Sequence, residues 1–291
     1  MKAILIIILS FFTSSCCATQ KRTQNQPIAN NELVIATEIP DAIEAPLKED
    51  NSIKISLDEE EVAYDNGISE TTEIIYTEAF DHSIFNELLK KHVSKAGNVN
   101  YKGFKSDSKT LQNYIELLKT QQPTDSWTQN DKLAYWINAY NALTINLILR
   151  NYPTKSIKDI KHPWDQRLWK LGDKWQNLND IEHEILRKMN EPRIHFAIVC
   201  ASVSCPKLQN EAFTAANLDE QLTNATKEFL ADTSKNELSK DNIKISKIFK
   251  WFKKDFEKNG NLIDFLNQYA NIEISEKAKK SYTDYNWNLN D

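Results

Sequence analysis

Glycine is scarce in this chain, with only five in 291 residues. That leaves no glycine-rich phosphate loop and no dinucleotide fingerprint. Cysteine is scarcer still. Of four cysteines, Cys16 and Cys17 lie in the leader, so any nucleophile, disulfide or soft metal ligand in the body must come from Cys200 and Cys205. Lys and Arg form no block, which removes the electrostatic footprint expected for nucleic acid. A patch for anionic lipid is equally absent. No paired-carboxylate motif stands out, and the body shows no internal repeat and no low-complexity tract.

What is present begins with MKAILIIILSFFTSSCC. One lysine precedes about ten apolar residues and then small residues before cysteine, the pattern of an export signal and too short to span a bilayer. Residues 1–17 are therefore expected to be a signal peptide. The small residues before Cys16 resemble the lipobox of bacterial lipoproteins, with Thr13 where that motif usually has leucine and Cys17 as a second acceptor. The resemblance implies acylation at Cys16 and a lipid bilayer as partner, in place of a transmembrane helix. An ordinary cleaved secretion signal is the alternative. The absence of an acidic residue just after Cys16 is compatible with an outer-membrane protein facing the periplasm of a bacterial cell envelope.

Residues 18–78 hold four basic and fourteen acidic side chains, including the run Asp58-Glu59-Glu60-Glu61, and few aromatics. Such a composition buries too little apolar surface to offset the entropy of ordering, so a disordered acidic linker is expected. The whole-chain charge of −5 contains −10 from this stretch and +1 from Lys2, which leaves the body near +4. The low isoelectric point belongs to the linker. Residues 79–291 are long enough for one domain with a proper core.

Within the body, Ser83–Val93 and Ser108–Leu118 place apolar residues at three and four spacing and read as amphipathic helices, with a Gly97-Asn98 turn between them. The longest helical signal starts at capping-competent Asn130 and Asp131 and stops at Pro153; Leu133, Trp136, Ile137, Tyr140, Thr144, Leu147 and Ile148 form its stripe. A hairpin is expected over Arg167–Leu178, then a helix capped by Asn179 that carries Ile181, Ile185 and Leu186. Pro192 and the β-rich run after it predict a strand from Ile194 to Cys200. Helices are expected near Asn217–Leu230 and Leu262–Tyr269, with a polar hairpin at Ile243 and Ile245 and an aromatic group over Ile248–Phe256 between them. The aromatic terminus from Tyr285 is expected to dock on the body. Long helices with few strands predict an α+β fold, a single mainly helical domain on a small sheet.

Five segments, LAYWINAYNALTI, IEHEILR, RIHFAIVCASVSCP, SKIFKWFKKDF and YNWNLN, occur in that order between residues 133 and 290, within a likeness that extends from about residue 83 to the end. Together they resemble the family called domain of unknown function 547, and with the leader they resemble its bacterial envelope members. The resemblance implies no activity, substrate or catalytic assignment.

The residues themselves leave several chemistries open at RIHFAIVCASVSCP. A strand from Ile194 to Cys200 would turn His195 and Cys200 to opposite faces with its ends roughly 16 Å apart. A base for a Cys200 nucleophile would then come from His183, oriented by Glu182, Glu184, Asn138 or Asn141, and the Ala201–Ser204 turn would hold an oxyanion. Alternatively, Cys200 and Cys205 close a bracing or redox-active disulfide in an oxidising envelope. A zinc site from His183, His195, Cys200 and Cys205 is disfavoured by the strand parity, and inert buried thiols complete the set. No cofactor is expected. Asn138 and Asn141, inside the apolar stripe, are either satisfied brackets or site groups. His195, Cys205, Trp136 and Tyr140 are candidate binding residues for a peptide, glycan or envelope protein. His82 and His92 are expected to be solvated. His162, with Trp164, Trp169 and Trp175, either rims a pocket or belongs to aromatic core packing.

Overall fold

The computed structural model describes residues 78–291. The expected signal peptide, acylation at Cys16 and acidic linker lie outside the described residues, except for Glu78. Among the described residues no helix is long and apolar enough to cross a membrane.

Helix α1 (Ser83–His92) turns Phe85, Leu88, Leu89 and His92 inward, and α2 (Tyr101–Ser106) and α3 (Ser108–Thr120) fold back across it. That return corrects the expectation of solvated histidines. His82 and His92 are both buried, with His82 Nδ1 2.7 Å from the Tyr114 hydroxyl and His92 Nε2 2.6 Å from Asp107 Oδ2. Helix α4 (Gln129–Asn151) begins one residue before the expected Asn130, because Thr128 and Asp131 form a reciprocal capping box there. Sixteen of its residues are buried, so its apolar surface wraps far beyond one stripe, as it must for a central helix packed on several sides.

Strands β1 (Trp169–Leu171) and β2 (Lys174–Gln176) form the expected antiparallel hairpin, with Trp169 opposite Gln176. The next expectation needs correction. Instead of an α-helix capped by Asn179, the chain makes a π-helical turn over Asp180–Ile185 and a 3₁₀ turn over Leu186–Met189, and it is Asn177 that accepts the Asp180 amide at 2.7 Å. Helix α5 is Leu218–Ala231. Strands β3 (Glu237–Leu238) and β4 (Asn242–Ile245) pair antiparallel, short helices α6 (Ile248–Trp251) and α7 (Lys253–Phe256) follow, and α8 is Leu262–Tyr269. Strand β5 (Lys279–Tyr282) then adds parallel to β4, with Ile243 opposite Lys280.

The result is α+β, mainly helical, with one two-stranded and one three-stranded sheet. One apolar cluster surrounds α4, and a second gathers Phe229, Phe249, Phe256 and Phe265. A 3₁₀ turn over Pro192–Phe196 joins them, sending Ile194 into the first and Phe196 into the second. The aromatic terminus docks as expected, with Asn288 bridging to Ser156 and Leu289 to Ser202.

Candidate functional site

The run from Ile194 to Cys200 is not a strand. Pro192 supplies the fixed φ that suits a first helical position, and the Glu191 side chain accepts the Arg193 amide at 3.0 Å, so the chain enters a 3₁₀ turn. The Ala197 and Ile198 amides both donate to the Ile194 carbonyl at 2.9 Å. Beyond the turn the backbone has no ladder to join, yet it is buried and its polar groups need partners. Asn141 supplies them. Its Nδ2 donates to the Ala197 carbonyl at 2.9 Å and its Oδ1 accepts from the Val199 amide at 3.0 Å. Asn138, one turn earlier on α4, does the same for Phe213, with contacts of 2.7 and 3.0 Å. Both asparagines are satisfied brackets. Neither orients an imidazole, and the strand parity that separated His195 from Cys200 does not apply.

The bracket at Val199 delivers the next residue, half-buried Cys200, to a cluster of hydrogen-bonding groups. Its sulfur lies 3.1 Å from Cys205 Sγ, 3.1 Å from Ser202 Oγ and 3.3 Å from the Tyr285 hydroxyl. A disulfide bond is about 2.05 Å long, so these are two free thiols in contact. Ala201, directly after Cys200, is buried and held at φ +56°, a left-handed conformation that costs a non-glycine residue about 1 kcal/mol or more. The reversal it makes returns the chain to Cys205, whose sulfur accepts the Cys200 amide at 2.9 Å. Two of the four amides expected to hold an oxyanion in this turn are already engaged. The Val203 and Ser204 amides donate to the carbonyls of Asn288 and Asn286, and the Cys205 amide donates to that of Ser202.

The two thiols sit in unlike environments. Donation from the Cys205 thiol, then from the Ser202 and Tyr285 hydroxyls, favours the Cys200 thiolate and holds that thiol below its ordinary value against the opposing effect of burial. Cys205 is more deeply enclosed, and burial pushes its thiol well up.

Cys200 and Cys205 line a cleft of about 190 Å³ together with Tyr140, Glu182, Trp251 and Trp287. Glu182 is buried, accepts the Tyr140 hydroxyl at 3.1 Å, and is pushed up to about 7 by that burial. His183 and His195 also line the cleft, but they belong to a different network. Asp255 holds Arg187 in a two-pronged ion pair (2.6 and 2.9 Å) and His195 Nε2 at 2.8 Å, while Arg187 lies 3.2 Å from His183 Nδ1. His195 stacks on Phe252 with ring centroids 3.9 Å apart. Burial and the Arg187 charge both push His183 down, and burial pushes His195 down. Glu182 is engaged with Tyr140 and so does not orient His183, and no imidazole is among the hydrogen-bond partners of Cys200. Among the described residues no three His, Cys, Asp or Glu side chains converge as a metal site.

The remaining candidates scatter. Trp136 packs edge-on against Tyr135 in the core and does not line the cleft. Trp164 reaches the cleft, Trp169 is core, and Trp175 is exposed. Sequence reasoning missed Ser202, Tyr285 and Asp255 as site groups. Tyr285 opens the terminal YNWNLN segment and Asp255 is the penultimate residue of SKIFKWFKKDF, so the only available signal was that both segments recur in the resemblance.

No curated protein and no solved structure matches the chain. Residues 124–230, which hold α4, the π-helical turn and both thiols, match the model of the family described as Protein of unknown function, DUF547.

Proposed function

We propose that the chain is an envelope lipoprotein, held to a bilayer through acylated Cys16, whose folded part is a dithiol site exchanging with disulfides of a peptide or envelope protein. The observation that carries the thiol reading is the 3.1 Å contact between two unequal sulfurs, one half-buried with three hydrogen-bonding neighbours and one enclosed. The leader sequence supports the anchoring.

In the reaction, the Cys200 thiolate attacks one sulfur of a substrate disulfide and expels the other as a thiolate, which takes up a proton. Cys205 then loses its proton and attacks Cys200 Sγ. The mixed disulfide breaks, the second substrate thiol leaves and is protonated, and a Cys200–Cys205 bond remains. Two electrons pass from the protein thiols to the substrate disulfide. Closing the bond needs the sulfurs to approach by about 1 Å from their present contact.

The test uses the reduced full chain. Iodoacetamide is expected to label Cys200 faster at pH 7 than it labels a free cysteine, and glutathione disulfide is expected to convert the pair to a Cys200–Cys205 bond that dithiothreitol reopens readily. A Cys200 that labels no faster than free cysteine, or a closed pair that resists dithiothreitol, overturns exchange in favour of a bracing disulfide. Palmitate labelling in a bacterial host that persists in Cys16→Ser overturns the assignment of the anchor to Cys16.

A further inference from the structure

The exchange reaction leaves one proton without a stated destination. Cys205 must ionise to attack, and its enclosure opposes ionisation. Something in the cleft has to take that proton, and most of the titratable groups there are already engaged. His183 offers Nδ1 to the Arg187 guanidinium, and His195 is tied through Nε2 to Asp255. Asp255 is held far below the usual carboxylate range by His195 and Arg187. The Tyr285 hydroxyl is held protonated by burial.

Glu182 differs from all of these. Its single hydrogen-bond partner among the described residues is the Tyr140 hydroxyl, and no salt bridge reaches it because Arg187 is committed to Asp255. It is presented by the π-helical turn, a geometry rare in proteins and frequent at functional sites. It shares with both sulfurs a cleft of about 190 Å³, room for a few waters at about 30 Å³ each through which a proton can pass. The groups also feel one another: a negative Glu182 raises Cys200, and both Glu182 and the two cysteines raise Tyr140.

We infer that Glu182 is the acid–base group of this cleft, receiving the Cys205 proton as the Cys200–Cys205 bond forms and returning it when the pair is reduced. This rests on the dithiol reading above. The charged and titratable groups that face Glu182 are Tyr140 from α4, Arg187 and Asp255, the two cysteines, and the histidines at 183 and 195. Among the first three, Tyr140 and Arg187 favour its ionised form and Asp255 opposes it. Burial outweighs them and sets its titration near pH 7, where a carboxyl can both accept and release a proton.

The two steps are measured separately on the full chain by mixing reduced protein with glutathione disulfide, quenching in acid and weighing the products across pH 5 to 9. In wild type, closure from the mixed disulfide is expected to break near pH 7. Glu182→Gln is expected to lose that break and to close at least about tenfold more slowly at pH 8. Its first step at Cys200 is expected to be as fast or faster, because a negative neighbour has gone. A merely structural loss would slow both steps together. Tyr140→Phe removes the hydrogen bond that favours ionised Glu182, so its break is expected to move to higher pH, and this variant decides the matter if Glu182→Gln folds poorly. Closure in Glu182→Gln with the wild-type rate and break, or a Tyr140→Phe break that stays put, overturns the role of Glu182. Absence of any mixed disulfide on wild-type Cys200 instead overturns the dithiol reading itself.

Discussion

Cys205 holds its sulfur 3.1 Å from that of Cys200 and 2.9 Å from the Cys200 backbone nitrogen, so one buried atom meets both ends of the residue it faces. The contact is built by two devices, the Asn141 bracket that ends the Ala197–Val199 segment and the left-handed turn at Ala201 that brings the chain back. Cys205 gives Cys200 its strongest donor, and Ser202 and Tyr285 complete the set.

Removing one of those donors makes the thiolate of Cys200 less favourable. A hydrogen bond to a charged group contributes about 1.5–3 kcal/mol, so Tyr285→Phe is expected to slow alkylation of Cys200 at pH 7 by roughly tenfold. Ser202→Ala acts in the same direction. Alkylation rates resolved by peptide mass across pH 6 to 10 check this, and a Tyr285→Phe profile that overlays wild type is incompatible with a hydroxyl donor at that sulfur.

Two buried groups give stability a pH dependence of opposite sign. His82 is pushed from 6.5 down to about 4 by burial, so the unfolded chain binds the extra proton and stability is lost as pH falls from 6.5 through 4. Glu182 is pushed from 4.5 up to about 7, so the folded chain holds the proton longer and stability is lost as pH rises from 4.5 through 7. Each amounts to about 3 kcal/mol as an order of magnitude. Between pH 4.5 and 6.5 the two slopes oppose each other, and wild-type stability from this pair is expected to be nearly flat. Glu182→Gln unmasks the histidine, so urea unfolding of that variant is expected to show stability rising by a few kcal/mol from pH 4.5 to 6.5. An equally flat profile in the variant would remove the assignment.

The helices were legible because their signals are local. Leu262–Tyr269 carries its own cap and stripe, and Pro153 ends α4 wherever the rest of the chain goes. The failures lie where a distant partner decides. Residues 194–200 have the composition of a strand, but Asn141 satisfies their backbone from 58 positions away in the case of Val199, which no window over the run itself can register. Polar neighbours made His82 and His92 look solvated, whereas Tyr114 and Asp107 fold over them. At the site, the importance of Cys200 and Cys205 followed from their being the only thiols in the body. Their partner Tyr285 lies 85 residues away in sequence.

The two asparagines of α4 are expected to separate stability from reactivity. Each satisfies one buried backbone amide and one buried carbonyl, and leaving such groups unpaired costs about 1–3 kcal/mol each. Asn138→Ala and Asn141→Ala should therefore both lower the stability read from urea unfolding by comparable amounts, roughly 2–4 kcal/mol. Only Asn141 holds the segment that presents Cys200, so Asn141→Ala is also expected to change the alkylation rate of Cys200, while Asn138→Ala keeps it. Equal changes in both variants would show that thiol reactivity follows global stability instead of the bracket.

A glycine outside the cleft lining should matter to Cys205. Gly97 sits at φ +85° in the turn after α1, its amide donates to the Ser94 carbonyl at 2.8 Å, and an added Cβ would lie 2.3 Å from Lys207 Cβ and 3.0 Å from its Cα. Lys207 is two residues beyond Cys205, and its backbone cannot swing aside as the tip of a side chain can. Gly97→Ala therefore combines the left-handed cost with overpacking, together about 2–4 kcal/mol. Gly172→Ala is the control: its φ is +56°, but the nearest atom is Gln122 Cγ at 3.1 Å on a flexible side chain, so only about 1 kcal/mol is expected. If the shift at Lys207 is transmitted to its neighbour, Cys205 in Gly97→Ala becomes labelled by iodoacetamide under native conditions, while in Gly172→Ala it stays protected. Protection of Cys205 in both variants would mean that the Asn98 side of the turn yields first and that Cys205 is seated by the 201–205 loop alone.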